Sequence, residues 1–354
     1  MKNIAKYGAV SALSLVIGAS AAFAENIKIA FIDPLSGPFA STGTNGLHQF
    51  EFAADHMVND KGGLLDGQQM EVLAFDNKIS PKESLIQLQV TIDQGARYVV
   101  QGNSSGVANA LTEAIDKHNR RNPDSRVLFL NYAAVDPALT NDKCNFWHFR
   151  FDANSDIKMD ALTDVIVQDD SIKKVYIIGQ DYSFGKAVSA ASNEMLGAKG
   201  DGIEVVGDEL HPIGKVKDFT PYARKVVSSG ADAVITGNWG ADMLGIGKAI
   251  IDNGFEGPIY TYYAAGSGIT AAFGESGKDK IRLISQGSIN PIATEEARET
   301  YNAFLEKYPD GNIDQSRIFN TIGMLAQAIT EAGSATDVVA VASKLEGMEY
   351  DSMW

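Results

Sequence analysis

Gly102-Asn-Ser-Ser-Gly106 is the stretch whose residue types and spacing come nearest to a catalytic motif. It matches G-x-S-x-G, follows an apolar run at 98–100 and precedes a helical pattern, which is the setting of a hydrolase nucleophile elbow. In that chemistry Ser104 attacks an acyl carbon, and a later histidine, oriented by an acid, takes its proton. Only His118, His148 and His211 follow Ser104. His118 falls on the helix that Ser104 itself opens, and His148 begins a predicted crossing between two halves of the chain. An exported hydrolase with Ser104 as nucleophile is therefore the lesser reading. The other reading is non-covalent: hydroxyl and N–H donors of Ser104 and Ser105 at a helix N-terminus hold a carboxylate without reaction.

Other catalytic spacings fail. Residues 179–187 are one residue too long for a P-loop, and Ala187 stands where Ser or Thr is required. Asp152-Ala-Asn-Ser-Asp156 begins like a calcium loop, but Ile157 and Thr163 occupy the glycine and glutamate positions. Five scattered histidines and a single cysteine give no metal-ligand spacing. No catalysis, metal or cofactor is expected. Aromatic residues are more suggestive. Tyr182 and Phe184, Trp239, and Tyr262 with Tyr263 each follow or end a predicted strand of the second half. Core packing explains any one set; three sets on one predicted edge favour a pocket wall. Asp156 and Asp181 also fall near predicted edges, where a helix cap or a solvated loop carboxylate is the competing role.

These residues need strands to carry them. Residues 27–32 alternate and are β-branched, which predicts a buried strand. Pro34, Gly37 and Pro38 break the chain into a loop. Leu47, Phe50, Ala54, Met57 and Val58 then recur at helical spacing. Strands at 70–75, 98–100 and 126–131 follow, separated by helices at 81–93 and 104–118. The same rhythm begins again: helices at 156–169, 184–196, 219–227 and 243–251 alternate with strands at 174–178, 204–210, 233–235 and 258–263. A strand-like run at 281–289 and helices at 294–307, 317–331 and 336–345 close the chain. The fold class is α/β, with two Rossmann-like lobes on open parallel sheets. Ligands bind such sheets at the carboxyl edge. Short crossings near 149–153 and 285–289 are expected to form a hinge.

The N-terminus reads as a cleaved secretory signal: Lys2 and Lys6, an apolar run at 7–21, and Ala22-Phe23-Ala24 before Glu25. A soluble periplasmic protein is expected. No lipid anchor is expected, since Cys144 lies far from the N-terminus. A lone cysteine excludes an internal disulfide, and its neighbours Phe146 and Trp147 suggest that it is buried. The 330 residues from Glu25 suffice for two lobes. They carry 28 basic and 45 acidic residues, a net charge of −17, which speaks against nucleic acid or anionic membrane as a partner.

In motif order the chain resembles the periplasmic solute-binding proteins of ABC importers, in the branched-chain amino acid (Leu/Ile/Val) binding group. Leu35-Ser-Gly-Pro-Phe-Ala-Ser-Thr-Gly43, Asn59-Asp-Lys-Gly-Gly63, Asp136-Pro-Ala-Leu-Thr140, Tyr182-Ser-Phe-Gly185 and Lys217-Asp-Phe-Thr220 carry the resemblance over nearly the whole mature chain. It implies a type I periplasmic binding fold with three crossings, solute held between the lobes, and closure that presents a surface to permease subunits. The expected lobes are 25–149 with 286–349, and 150–285 with 350–354, the second incomplete because the chain resembles a C-terminally truncated relative. A monomer is expected.

Carried over position by position, the resemblance implies ligand contacts at Thr42, Ser104, Ala133, Val135, Phe184, Trp239 and Tyr263; Ser105, Ala134, Asp156 and Tyr182 beside them complete the expected ligand site. Two positions depart from the group. Val135 lacks the hydroxyl of its threonine, and Tyr263 replaces the glutamate that holds a ligand ammonium. A branched-chain or hydrophobic amino acid then needs Asp136, Asp156 or Asp181 to supply the lost charge. An aromatic acid or an amide needs no such replacement.

Overall fold

The computed structural model describes residues 25–200, 202–266, 268–284, 292 and 294–354. The signal segment and the crossing expected near 285–289 lie outside them.

Runs of apolar residues that have no polar face form strands covered on both sides. In the first half these are β1 (Ile27–Asp33), β2 (Met70–Asp76), β3 (Tyr98–Gln101), β4 (Leu128–Asn131) and β5 (His148–Arg150). They pair in the order β2-β1-β3-β4-β5, every pair parallel. The intervening helices are α1 (Ala40–Met57), α2 (Pro81–Asp93) and α3 (Ser105–Arg121). The second half repeats the arrangement. Strands β6 (Lys174–Gln180), β7 (Glu204–His211), β8 (Ala233–Thr236), β9 (Ile259–Thr261) and β10 (Ile281–Leu283) run in the order β7-β6-β8-β9-β10, again all parallel. Helices α4 (Ser155–Ile166), α5 (Ser183–Lys199), α6 (Thr220–Ser228), α7 (Gly240–Asp252) and α8 (Ile269–Gly277) accompany them.

In each sheet the chain starts inside, steps to one side, then crosses to the other. The strand order therefore reverses between β1 and β3, and again between β6 and β8. At such a switch point the loops leaving neighbouring strands diverge to opposite faces and open a crevice. The turn out of each starting strand is packed alike. A Cβ on Gly43 would lie 1.8 Å from the Pro34 carbonyl oxygen, and one on Gly185 would lie 1.7 Å from that of Gln180. Only glycine lets each helix approach its strand end so closely.

The final helices are α9 (Glu295–Lys307), α10 (Arg317–Ala332) and α11 (Val338–Leu345). Their apolar faces cover the first sheet: Phe304, Ile318, Ile322, Leu325 and Val341 join one buried cluster with Phe31, Phe50, Tyr98 and Tyr132. The chain thus returns from the second lobe to finish the first.

Three expectations are corrected. The first sheet has five strands, not four, because His148–Arg150 pairs with β4 before the chain crosses. Residues 350–354, expected with the second lobe, lie along the first. Trp354 packs edge-on against Phe319 at 5.3 Å, and Ser352 Oγ donates to Asn320 Oδ1 at 2.7 Å. Burial of an indole against an existing core cluster outweighs any pairing available to this short segment. Cys144 is exposed rather than buried, because it sits on a surface turn closed by its own N–H to Asn141 O. Among the described residues no helix is long and apolar enough to cross a membrane.

Candidate functional site

The crevices of the two switch points face each other and merge. The shared cleft has a volume of about 700 Å³, counting its opening to solvent.

The first lobe supplies polar donors. Ser104 is the N-cap residue of α3, yet its side chain caps no N–H of its own helix, and the first turn carries no acidic residue. The leading N–H groups of α3 and the positive end of its dipole are therefore left for a ligand anion. Ser104 also has φ +87, a conformation that costs a non-glycine residue about 1–3 kcal/mol. Asp33, at the end of β1, holds the strained turn in place. Its carboxylate accepts from Gly102 N at 3.1 Å, Asn103 N at 3.0 Å and the Tyr132 hydroxyl. Gln101 Nε2 adds a bond to Asn103 O at 2.7 Å. Ser105, Ala133, Ala134 and Val135 complete this wall with Thr42. Ser105 Oγ accepts the Asp136 N–H at 3.2 Å, which ties the α3 N-terminus to the turn after β4.

The second lobe supplies aromatic surface. Tyr182 and Phe184 leave β6, Trp239 leaves β8, and Tyr262 and Tyr263 leave β9. Their rings form a continuous train: Tyr182 to Phe184 at 5.9 Å, Phe184 to Tyr263 at 6.0 Å, Tyr263 to Tyr262 at 6.0 Å. Trp239 Nε1 donates to the Tyr182 hydroxyl at 2.8 Å, which fixes both rings.

The lobes touch across the cleft. Phe39, from the turn after β1, packs against Trp239 with ring centroids 4.2 Å apart and is 2 % exposed. Its niche requires two glycines: a Cβ on Gly240 would lie 2.6 Å from the ring, and one on Gly214 would lie 2.8 Å from it. Phe39 and Val135, both from the first lobe, thus belong to the apolar cluster of the second. At the crossing, Asp152 pairs with Lys158 of α4 at 2.9 Å and with Arg317 of α10 at 3.3 Å, all three nearly solvent-free.

Of the residues singled out in the sequence, Thr42, Ser104, Ser105, Ala133, Ala134, Val135, Tyr182, Phe184, Trp239 and Tyr263 are brought together in the cleft wall. Asp156 is not. It lies in the first turn of α4, where Asn154 is the cap, and it accepts only a long bond from Ser155 Oγ at 3.5 Å. Burial and the nearby acids Glu194 and Asp136 push its carboxyl upward. Asp181 is exposed and pairs with Lys186 at 3.3 Å. Asp136 is committed to Ala138 N and Asn109 Nδ2. None of these three carboxylates lines the cleft.

The sequence reading missed Asp314 and Gln315, which line it from the turn before α10, and Arg317, which lines it from the first position of α10. Arg317 donates to Tyr132 O and to Gln315 Oε1. The signal available was an acid and a base three residues apart at a helix start, a pattern as common on solvated surfaces. No histidine lines the cleft among the described residues. His118 meets Ser125 O at 2.9 Å, and His211 meets Asn238 at 2.7 Å. His148 meets Asn131 at 3.2 Å and is pushed down to about 4, chiefly by burial. Ser104 thus has no imidazole partner. No cluster of three or more His, Cys, Asp or Glu suited to a metal occurs among the described residues.

A family profile described as "Periplasmic binding protein" matches residues 26–354. The chain belongs to the periplasmic binding protein family. A "Leu/Ile/Val-binding protein homolog 4" of Brucella abortus is 36 % identical over 314 residues, covering 85 % of this chain and 70 % of the relative. The solved leucine-, isoleucine-, valine-, threonine- and alanine-binding protein of Brucella ovis, in its closed conformation, is 29 % identical with a TM-score of 0.74, over 90 % of this chain and 82 % of that one. A solute-binding protein of an ABC transporter from R. palustris, in complex with benzoate, shares the fold at a TM-score of 0.80 and 16 % identity, over 93 % and 87 % of the two chains. This periplasmic binding protein therefore has the type I fold, and its family binds small molecules and works with ABC permeases.

Proposed function

We propose that this periplasmic binding protein captures a branched-chain or other hydrophobic amino acid, or a related small carboxylate, in the interlobe cleft and delivers it to an ABC permease. One observation carries this reading: an uncapped helix N-terminus on one lobe and a train of aromatic rings on the other face the same cavity. The first suits a carboxylate, the second an apolar body. Closure follows from ligand contacts made only when both walls meet. The protein acts as an exported monomer after removal of residues 1–24, and the lobes are divided near 149 and 285. The rings of Phe184, Trp239, Tyr262 and Tyr263 favour an aromatic acid as the second reading.

Ser104 acts here as a donor, not as a nucleophile. Ser104→Ala is expected to weaken binding of the ligand carboxylate about 10- to 100-fold, the loss of one hydrogen bond to a charged group. Titration calorimetry checks this, and ligand recovered after long incubation should be chemically unchanged. Esterase activity in the parent that Ser104→Ala abolishes would instead establish the hydrolase.

A further inference from the structure

Asp314 is the one acidic residue lining the cleft among those described. It is not a stray surface carboxylate. Asn45 and Gln49, buried on α1, each donate a side-chain N–H to its Oδ1, at 2.9 and 3.0 Å. The same two side chains clamp the segment that carries it. Asn45 Oδ1 accepts Asn312 N at 3.0 Å, Asn45 Nδ2 donates to Asn312 O at 2.9 Å, and Gln49 Oε1 accepts Gln315 N at 3.3 Å. One carboxylate oxygen is thereby filled and the side chain fixed. The other, Oδ2, faces the Gly266 side of the cleft, where even a Cβ on that glycine would stand 3.7 Å away. An oriented carboxylate on the wall of a cavity can accept a ligand cation.

The rest of the lining offers a ligand cation no second carboxylate. The face of Tyr263 is already taken by the protein's own ammonium, with Lys158 Nζ 5.6 Å from the ring centroid. Asp152 is committed to Lys158 and Arg317. The anion seat lies at the uncapped N-terminus of α3, on a different element of the same wall.

We propose that Asp314 receives the cationic group of a zwitterionic ligand whose carboxylate sits at the α3 N-terminus. The cleft then selects amino acids over the same carbon skeletons without nitrogen, a conclusion that rests on the carboxylate reading given above. The acceptor comes from the first lobe's clamp on α1, which explains how an amino-acid site persists with tyrosine at position 263. A proton competes with the ligand cation for this carboxylate. Burial is the largest influence on Asp314 and raises it to about 6, against the lowering effects of Gln49, Arg317, its own backbone N–H and Asn45. The charged and titratable groups facing it are Arg317 of α10 and the Tyr132 hydroxyl after β4; α1 contributes only the two amides. Amino-acid affinity should therefore fall as pH drops below about 6.

The test is titration calorimetry on the mature protein with matched pairs: L-leucine against 4-methylpentanoate, and L-phenylalanine against 3-phenylpropanoate. In the wild type an amino acid should bind at least about tenfold more tightly than its deaminated partner. Asp314→Asn should remove that difference by weakening the amino acid alone, and should flatten its pH dependence. Retained binding of the deaminated acid shows that the variant is folded. Should the variant not fold, the wild-type pairs decide by themselves. Deaminated acids that bind as well as amino acids, or leucine affinity unchanged in Asp314→Asn, would overturn the proposal and leave the carboxylate reading standing. Binding of no member of either pair would overturn the proposal, while the panel of small carboxylates described below decides the carboxylate reading.

Discussion

Asp33→Ala is expected to destabilise the protein by about 3–5 kcal/mol and to remove tight ligand binding. Asp33 is fully buried and lies at the hub of the turn that presents Ser104. Without its carboxylate, the N–H groups of Gly102 and Asn103 and the Tyr132 hydroxyl lose their buried acceptor. Each orphaned donor costs about 1–3 kcal/mol. The turn also loses what holds Ser104 at its strained φ, so the α3 N-terminus should relax away from the cleft. Urea denaturation measures the first effect and calorimetric titration the second.

The same residue predicts a pH signature. Burial raises the Asp33 carboxyl to about 7 from an ordinary value of 3.8, outweighing the four hydrogen bonds that lower it. A carboxyl raised in the folded state binds its proton more tightly there than in the unfolded chain. Its contribution to stability is thus fully present below about 3.8 and is lost as pH rises through about 7. In Asp33→Asn that decline should vanish from a plot of unfolding free energy against pH. A decline of unchanged size would assign it to another group.

Asp152→Ala should be comparably costly, about 3–5 kcal/mol, by a different mechanism. Asp152 sits on the crossing between lobes with its side chain wholly buried, and it offsets two cations that are themselves 5 % and 7 % exposed. Removing it leaves Lys158 of the second lobe with uncompensated charge in low dielectric and takes an ion pair from Arg317 of the first. Burial already holds Lys158 below its ordinary range, with Asp152 the chief opposing influence. Pairing Asp152→Ala with Lys158→Met should recover a measurable part of the loss, because it removes one stranded charge and keeps the apolar stem. A double variant no more stable than the single would contradict this account. The measurement is a denaturation midpoint for each protein.

Much of this organisation was legible in the residue order. Strands and helices could be read because buried parallel strands are continuous apolar runs while helices repeat at 3.6 residues. Phe184, Trp239 and Tyr263 could be placed on the cleft because each follows a strand, and parallel sheets bind ligands at that edge. Asp314 follows no strand. It reaches the cleft because a C-terminal turn folds back on α1, through an Asn45–Asn312 pairing across more than 250 residues that no local pattern announces. Asp33 was hidden differently: at the end of an apolar strand it reads as the start of a loop, and only the packing of β1 between β2 and β3 turns it inward. The acids that did look suitable, Asp136, Asp156 and Asp181, were consumed by local turns, the helix start and a surface lysine. Local hydrogen bonding competes for short acidic side chains wherever chains turn.

The most direct test of the cleft's role is a thermal-shift panel on the mature protein with leucine, valine, phenylalanine, benzoate and simple amides. A ligand held between the lobes binds the folded state alone, so at about 100 times its Kd it should add roughly 2.7 kcal/mol of stability. The account predicts such a shift for at least one small carboxylate with an apolar body, saturating at one ligand per chain and diminished in Ser104→Ala. A protein shown to be folded by circular dichroism, yet unmoved by every member of the panel, would contradict it.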